Sequence, residues 1–232
     1  MEVQPRDIQR YSTPDGKVPF SEWLDSLRDL KAKFKIHRRL DRVGTGNFGD
    51  YRSVGEGVYE LKINYGTGYR VYFGQVEETI VLLLIGGDKS TQEQDIRKAK
   101  TYWTDYKTMT MPKSLPYHPY KISNLKDPAY SAGYLTEIFE EEAGDLELGI
   151  MRKALRDVFE ALGEPNMSAE DAKLHLEKLD LLLSGEGSAT IYALANWLKV
   201  LGLKLKVAVV QEDEGEDEGS VSDVELAEVG NV

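Results

Sequence analysis

Three apolar runs set close together constrain this chain more than any other feature. VYELKINY, YRVYFGQV and TIVLLLI are dense in β-branched and aromatic residues and are separated only by GTG and by EE. Runs of this composition with connections this short form neighbouring antiparallel strands, so they predict a meander. Helical patterns flank it. Pro19 opens a helix that places Phe20, Trp23, Leu24 and Leu27 on one face. A second helix carries Phe34, Leu40 and Val43 as its apolar stripe and the basic run KAKFKIHRR on its other side, and the glycine-rich GTGNFGD ends it. A short strand is expected at Ile8 to Ser12. A closing helix is expected from near Ser90 to about Tyr106.

Beyond Tyr106 the pattern changes. TMTMPKSLPYHPYKISN has three prolines within eight residues and no periodicity, and reads as a linker. Helical spacing resumes after Pro128, with Tyr130, Tyr134, Ile138 and Phe139 on one face. A longer helix is expected from Asp145 to Leu162, with shorter ones around 168–183 and 188–201. LKLKVAVV alternates like a strand, and QEDEGEDEGSVSDVELAEVGNV holds nine acids and no base, as a solvated tail does. The expected organisation is therefore α+β. An N-terminal domain (1–108) has two helices, a curled antiparallel sheet and a C-terminal helix. A linker (109–124) joins it to a mostly helical domain (125–210), and the acidic tail is 211–232.

Charge divides along the same line. Residues 1–108 hold 18 Lys+Arg against 16 Asp+Glu, whereas the remainder holds 11 against 24. There is no cysteine, and the three histidines (His37, His118, His175) are scattered, so no metal and no redox cofactor is expected. No apolar stretch has the length of a membrane span, and MEVQPRDIQRY lacks a signal peptide's apolar core, which predicts a cytoplasmic protein and no membrane partner.

The chained pieces GEGVYELKI, GTGYRVY and GGDKSTQEQDI, in this order, closely resemble a phage-derived branch of the RelE/ParE/HigB toxin superfamily, the addiction-module killer proteins. The likeness spans about residues 7 to 106. The second segment resembles the partner of such modules, a HigA-like helix-turn-helix antitoxin, through LKDPAYSAGYLTEIFEEEAGDLELGIMRKALRDVFEALG and SGEGSATIYALANWLKVLGLKLKV. The resemblance implies a toxin–antitoxin pair in one chain. Its first domain would be a ribosome-dependent messenger RNA endonuclease, in which a ribose 2′-OH attacks the adjacent phosphate and the 5′-oxygen departs.

Such a reaction needs cations around the phosphate, a proton acceptor and a proton donor. Strand alternation puts Lys62, Arg70 and Tyr72 on one face, and Lys89 and Gln92 follow the third strand. Arg70 and Lys89 are the expected phosphate neutralisers, and Lys62, Tyr72 or Gln92 the proton handlers or orienters. A lysine or tyrosine acting as base would need a depressed pKa. The plainer reading of Lys62 and Arg70 is the solvated face of a sheet, and Asp88 reads as a turn or cap residue. The basic run Lys31, Lys33, Lys35, Arg38, Arg39 and Arg42 faces RNA or solvent, with His37 as surface decoration. Tyr102, Trp103 and Tyr106 read as core.

In the second segment the resemblance puts the helix-turn-helix near MSAEDAKLHLEKLDLLLSG, which offers Glu177, Lys178 and Asp180 in place of the arginine and tyrosine that the resemblance implies. Operator DNA is thus a weak expectation. Inhibition of the toxin is the stronger one, with Glu137, Glu140, Glu141, Glu142, Asp145 and Glu147 either facing the cationic site or forming an ordinary solvated helix end. The contact is made within one chain or swapped between two copies, a homodimer being compatible with the tether. Two other readings of the same fold are a catalytically inactive DNA-binding autoregulator and a gyrase inhibitor of the ParE kind.

Overall fold

Each expected run of the meander forms a strand: β3 (Val58–Ile63), β4 (Tyr69–Val76) and β5 (Ile80–Gly87) are antiparallel neighbours. Two further strands flank them, β1 (Asp7–Tyr11) parallel to β5 and β2 (Tyr51–Gly55) antiparallel to β3. The structure is a computed structural model and describes residues 4–108, 114–140 and 148–183. Within these residues the sheet runs β2-β3-β4-β5-β1-β6, and the class is mixed α+β. The strand expected at 203–209, the helix at 188–201 and the acidic tail lie outside the described residues.

Both faces of the sheet are covered. On one side α1 (Pro19–Ser26) and α2 (Leu30–Gly44) bury Phe20, Leu24, Ile36, Leu40 and Val43 against Leu61, Val71, Phe73 and Leu83. On the other, α3 (Gln92–Thr108) lays Ala99 and Trp103 over Val58, Tyr72 and Leu82, with Tyr102 and Tyr106 packed alongside as expected. Period-2 alternation along β3 and β4 sends successive side chains to these two cores, so each strand serves both.

The segment read as a linker is not one over most of its length. Ser114–Pro116 form β6, which pairs antiparallel with β1, and Tyr117–Leu125 form helix α4. A three-residue strand has no periodicity to show. The prolines sit where proline is tolerated: Pro116 precedes the helix and Pro119 falls in its first turn, where the backbone N–H groups have no partner within the helix.

Three more helices follow: α5 (Pro128–Phe139), α6 (Leu148–Val158) and α7 (Ala169–Leu182), the last two joined by a π-helical and a 3-10 turn. Asp127 caps α5 by accepting from the Ala129 N–H. Helices α5 and α6 pack on α2, whose Phe34 enters a third core with Leu125, Tyr134, Ile138, Ile150 and Ala154. The approach is close enough to require Gly133, since a Cβ there would stand 2.5 Å from the Phe34 ring. Helix α2 is therefore a wall between two cores rather than a helix with one polar side.

That arrangement corrects two expectations. His37 is fully buried, its Nδ1 against the Tyr117 hydroxyl and its Nε2 2.9 Å from that of Tyr130. Lys31, Lys35 and Arg38 are not merely solvated, because they pair with Glu137, itself only 4% exposed. Beneath them Lys121 of α4 is buried among Asp41 (2.6 Å), Asp157 (2.8 Å) and the Tyr134 hydroxyl (2.8 Å).

Candidate anion-binding site on the sheet

Register decides which candidate residues meet. Lys62 lies opposite Arg70 and Glu60 opposite Tyr72, so Glu60, Lys62, Arg70 and Tyr72 start from one face of the β3–β4 pair, as alternation requires. Gln92 reaches the same place from the first turn of α3, and Arg52 from β2.

The centre of the cluster is Glu60, which has no exposed surface. Its Oε1 accepts from Arg52 Nε at 2.9 Å and faces Arg70 Nε at 3.6 Å. Its Oε2 accepts from the Tyr72 hydroxyl at 3.2 Å and from Gln92 Nε2 at 2.6 Å. Burial alone would raise the Glu60 pKa, but the hydrogen bonds from Arg52 and Gln92 and the two guanidinium charges outweigh it and hold the carboxyl below its usual range. It is an ionised carboxylate that pins two arginines.

Tyr72 takes the opposite shift. Burial and the neighbouring Glu60 carboxylate push its phenol well above the ordinary value, so it remains a hydroxyl and donates to Glu60. This removes Tyr72 as a base, for which a depressed value is required. Arg70 Nη1 donates to the carbonyls of Gly68 and Tyr69, which turns the guanidinium toward the 66–68 turn. Lys89 flanks the same turn: a Cβ at Gly68 would stand 3.5 Å from Arg70 Nη1 and 3.9 Å from Lys89 Cβ. Asp88 is a turn residue, accepting from the N–H and hydroxyl of Ser90.

Arg70, Tyr72 and Gln92 thus converge on one carboxylate, with Lys89 at the rim. Lys62 departs from them. Its Nζ lies 3.4 Å from Asp50, and it lines a cleft of about 260 Å³ with Lys35, Arg38, Arg39 and Arg42 of α2. Sequence reasoning also misses Glu60 and Arg52. The signal for Glu60 is an acid between Val58 and Lys62 on the strand face that carries Tyr72. Nothing in YRSVG sets Arg52 apart.

The acids of the second segment do meet cations of the first, but on α2. Glu137 binds Lys31, Lys35 and Arg38, and Glu140 lies 3.3 Å from Lys31. No hydrogen bond or ion pair among the described residues joins α4–α7 to Glu60, Arg70, Tyr72 or Gln92; Glu141, Glu142, Asp145 and Glu147 lie outside them. The histidines are not all unaccompanied either. His118 stands 2.8 Å from Glu160 and 3.9 Å from Asp157, a grouping with the spacing of metal ligands. Lys121 and Lys153, each 2.8 Å from Asp157, already supply positive charge there. Among the described residues no helix is long and apolar enough to cross a membrane.

Fold and site together define a mixed α+β protein with a carboxylate-anchored arginine cluster on one sheet face and a helical layer buttressing the other side. No family model matches the chain, and no solved structure matches it. A protein of Haemophilus influenzae described as uncharacterized is 52% identical over 83 residues, which cover 36% of this chain and 84% of that protein. The chain belongs to the family of that protein.

Proposed function

We propose that the chain is a toxin–antitoxin pair of the RelE/HigB and HigA kind in one polypeptide, whose N-terminal part cleaves messenger RNA through 2′-OH attack on the neighbouring phosphate. The observation that carries this reading is the convergence of Arg52, Arg70, Tyr72 and Gln92 on Glu60. A phosphate whose charge grows in the transition state needs fixed donors in a partly dry site. Arg52 and Arg70, oriented by one shared carboxylate, are such donors, with Lys89 at the edge. Glu60 fixes their direction and, having no exposed surface, orients the two arginines rather than meeting the 2′-OH itself. Tyr72 and Gln92 hold that carboxylate in place.

The helical part restrains the first through α2. Glu137 gathers three cations of that helix, and the buried Lys121 ties α4 and α6 to Asp41. The test uses the full chain in a translating extract, with messenger ends mapped by primer extension. Wild type is expected to cut slowly, Glu137→Lys about tenfold or more faster because it sets like charges against α2, and Glu137→Lys with Arg70→Ala not at all. Intact messenger with every chain overturns the reading. Broken DNA in place of cut RNA would replace it with gyrase inhibition, and an operator shift indifferent to Arg70→Ala with DNA-binding autoregulation.

A further inference from the structure

Helix α2 spaces Lys35, Arg38, Arg39 and Arg42 at intervals of three and four, so they stack along one side of the helix. Like charges in that arrangement destabilise a helix by a few tenths of a kcal/mol per pair. Here Lys62 of β3 adds a fifth cation from across the cleft, and among the described residues lining it the one acid is Asp50. Lys35 to Arg42 spans about 10 Å of helix, more than one small anion covers.

Arg39 occupies the middle of the row. Its Nη2 donates to the Asp50 carbonyl at 2.8 Å, which fixes the side chain across the 45–50 loop. Gly49 makes room for it, since a Cβ there would collide with Arg39 Nη1. The Arg39 Nε is buried with no hydrogen-bond partner. Burial, then the charges of Arg42 and Arg38, depress its pKa, with Asp50 offsetting them in part. A half-buried guanidinium whose buried Nε has no partner, set among other cations, is stabilised by any anion that enters.

The protein supplies its own anions to three of the cations that line the cleft. Glu137 takes Lys35 and Arg38, and the Asp50 carboxylate takes Lys62. Lys62 also lies opposite Arg70 in the β3–β4 ladder, so a residue lining the cleft and an arginine of the cluster are strand neighbours.

We infer that the cleft between α2 and β3 seats consecutive phosphates of a single-stranded RNA, and that Glu137 competes with the strand for Lys35 and Arg38. The identity of the strand rests on the function proposed above, whereas the seat is read by binding rather than cleavage. Lys35 lies 5.3 Å from the Tyr65 ring, and apart from Ile63 and Asn64 the residues lining the cleft are charged, so recognition follows the backbone and is indifferent to base.

The test is fluorescence anisotropy of a roughly 12-nucleotide oligouridine with the full chain across a salt series. Arg39→Gln is expected to weaken binding about fivefold or more, and to lower the slope of log affinity against log salt by about 0.7 for each phosphate that is no longer neutralised. Glu137→Gln is expected to tighten binding, and Lys98→Gln on the exposed side of α3 to leave it unchanged. Circular dichroism melts confirm that each variant is folded. Equal affinity of wild type and Arg39→Gln overturns the proposal, as does weaker or unchanged binding by Glu137→Gln. Tighter binding of duplex DNA with the same dependence on Arg39, or inorganic phosphate that displaces the oligonucleotide at equal concentration, overturns the single-strand assignment. RNA bound through Arg39 but never cut leaves the seat standing and sinks only the cleavage reading.

Discussion

His37 is held neutral by its surroundings. Burial first, then the nearby charges of Lys121 and Lys33, depress its pKa to about 3. An unfolded histidine titrates near 6.5, so below that value the unfolded state binds a proton that the folded state refuses, and stability falls with pH. Its full contribution is present above about pH 6.5 and is lost progressively toward the folded value. By pH 5 the loss from this one residue is about 2 kcal/mol. We expect urea midpoints of wild type to drop between pH 7 and pH 5, and those of His37→Gln, which keeps a donor and an acceptor for Tyr117 and Tyr130, to drop much less. An equal drop in both would place the acid sensitivity elsewhere. The sequence disguises this residue for a physical reason. Its neighbours Lys35, Arg38 and Arg39 make the local surface look solvated, while the stripe that buries it, Phe34, His37 and Asp41, is completed only by tyrosines about 80 or more residues away.

At the scale of elements, what the sequence discloses is whatever repeats locally. Strands β3, β4 and β5 and helices α1, α2, α3 and α5 all carry a period and a boundary residue, and each is legible. Strand β2 is exposed along most of its length, and its order comes from pairing with β3 through Tyr51 to Gly55, so YRSVG shows no apolar alternation. Helix α4 hides behind prolines, yet holds the side chain on which the helical layer depends. Lys121 sits between Asp41 of α2 and Asp157 of α6, with Tyr134 of α5 completing its hydrogen bonds. Desolvation disfavours its charge, and the two carboxylates outweigh that and raise its pKa. A buried ion pair adds little net stability over an apolar substitute, but removing one partner leaves a buried charge unmatched. Lys121→Met is therefore expected to cost about 3–5 kcal/mol in chemical denaturation. Adding Asp157→Asn should recover part of that loss by lowering the stranded charge. A double variant weaker than the single one would contradict this account of the network.

The whole molecule is organised around α2, which contributes Ile36, Leu40 and Val43 to the core beneath the sheet and Phe34 to the core among the later helices. Separate domains joined by a tether would unfold separately, whereas a helix shared between two cores couples them. Strand β6 reinforces the coupling by adding residues 114–116 to the edge of the sheet beside β1. The division of charge along the sequence has its counterpart here, since Lys31, Lys35 and Arg38 on one side of α2 meet Glu137 and Glu140 on α5 and at its end. Phe34→Ala tests the coupling, because it removes a ring from the second core without touching the first. Truncating a buried phenylalanine costs about 3–5 kcal/mol. If the shared helix makes the two cores one cooperative unit, amides of β4 and of α5 and α6 will lose hydrogen-exchange protection together and by similar free energies. Protection lost in α5 and α6 while β4 keeps its wild-type value would show that the helical layer opens alone. In that case Glu137 would act as a clasp that releases the cations of α2 without unfolding the sheet that carries the arginine cluster.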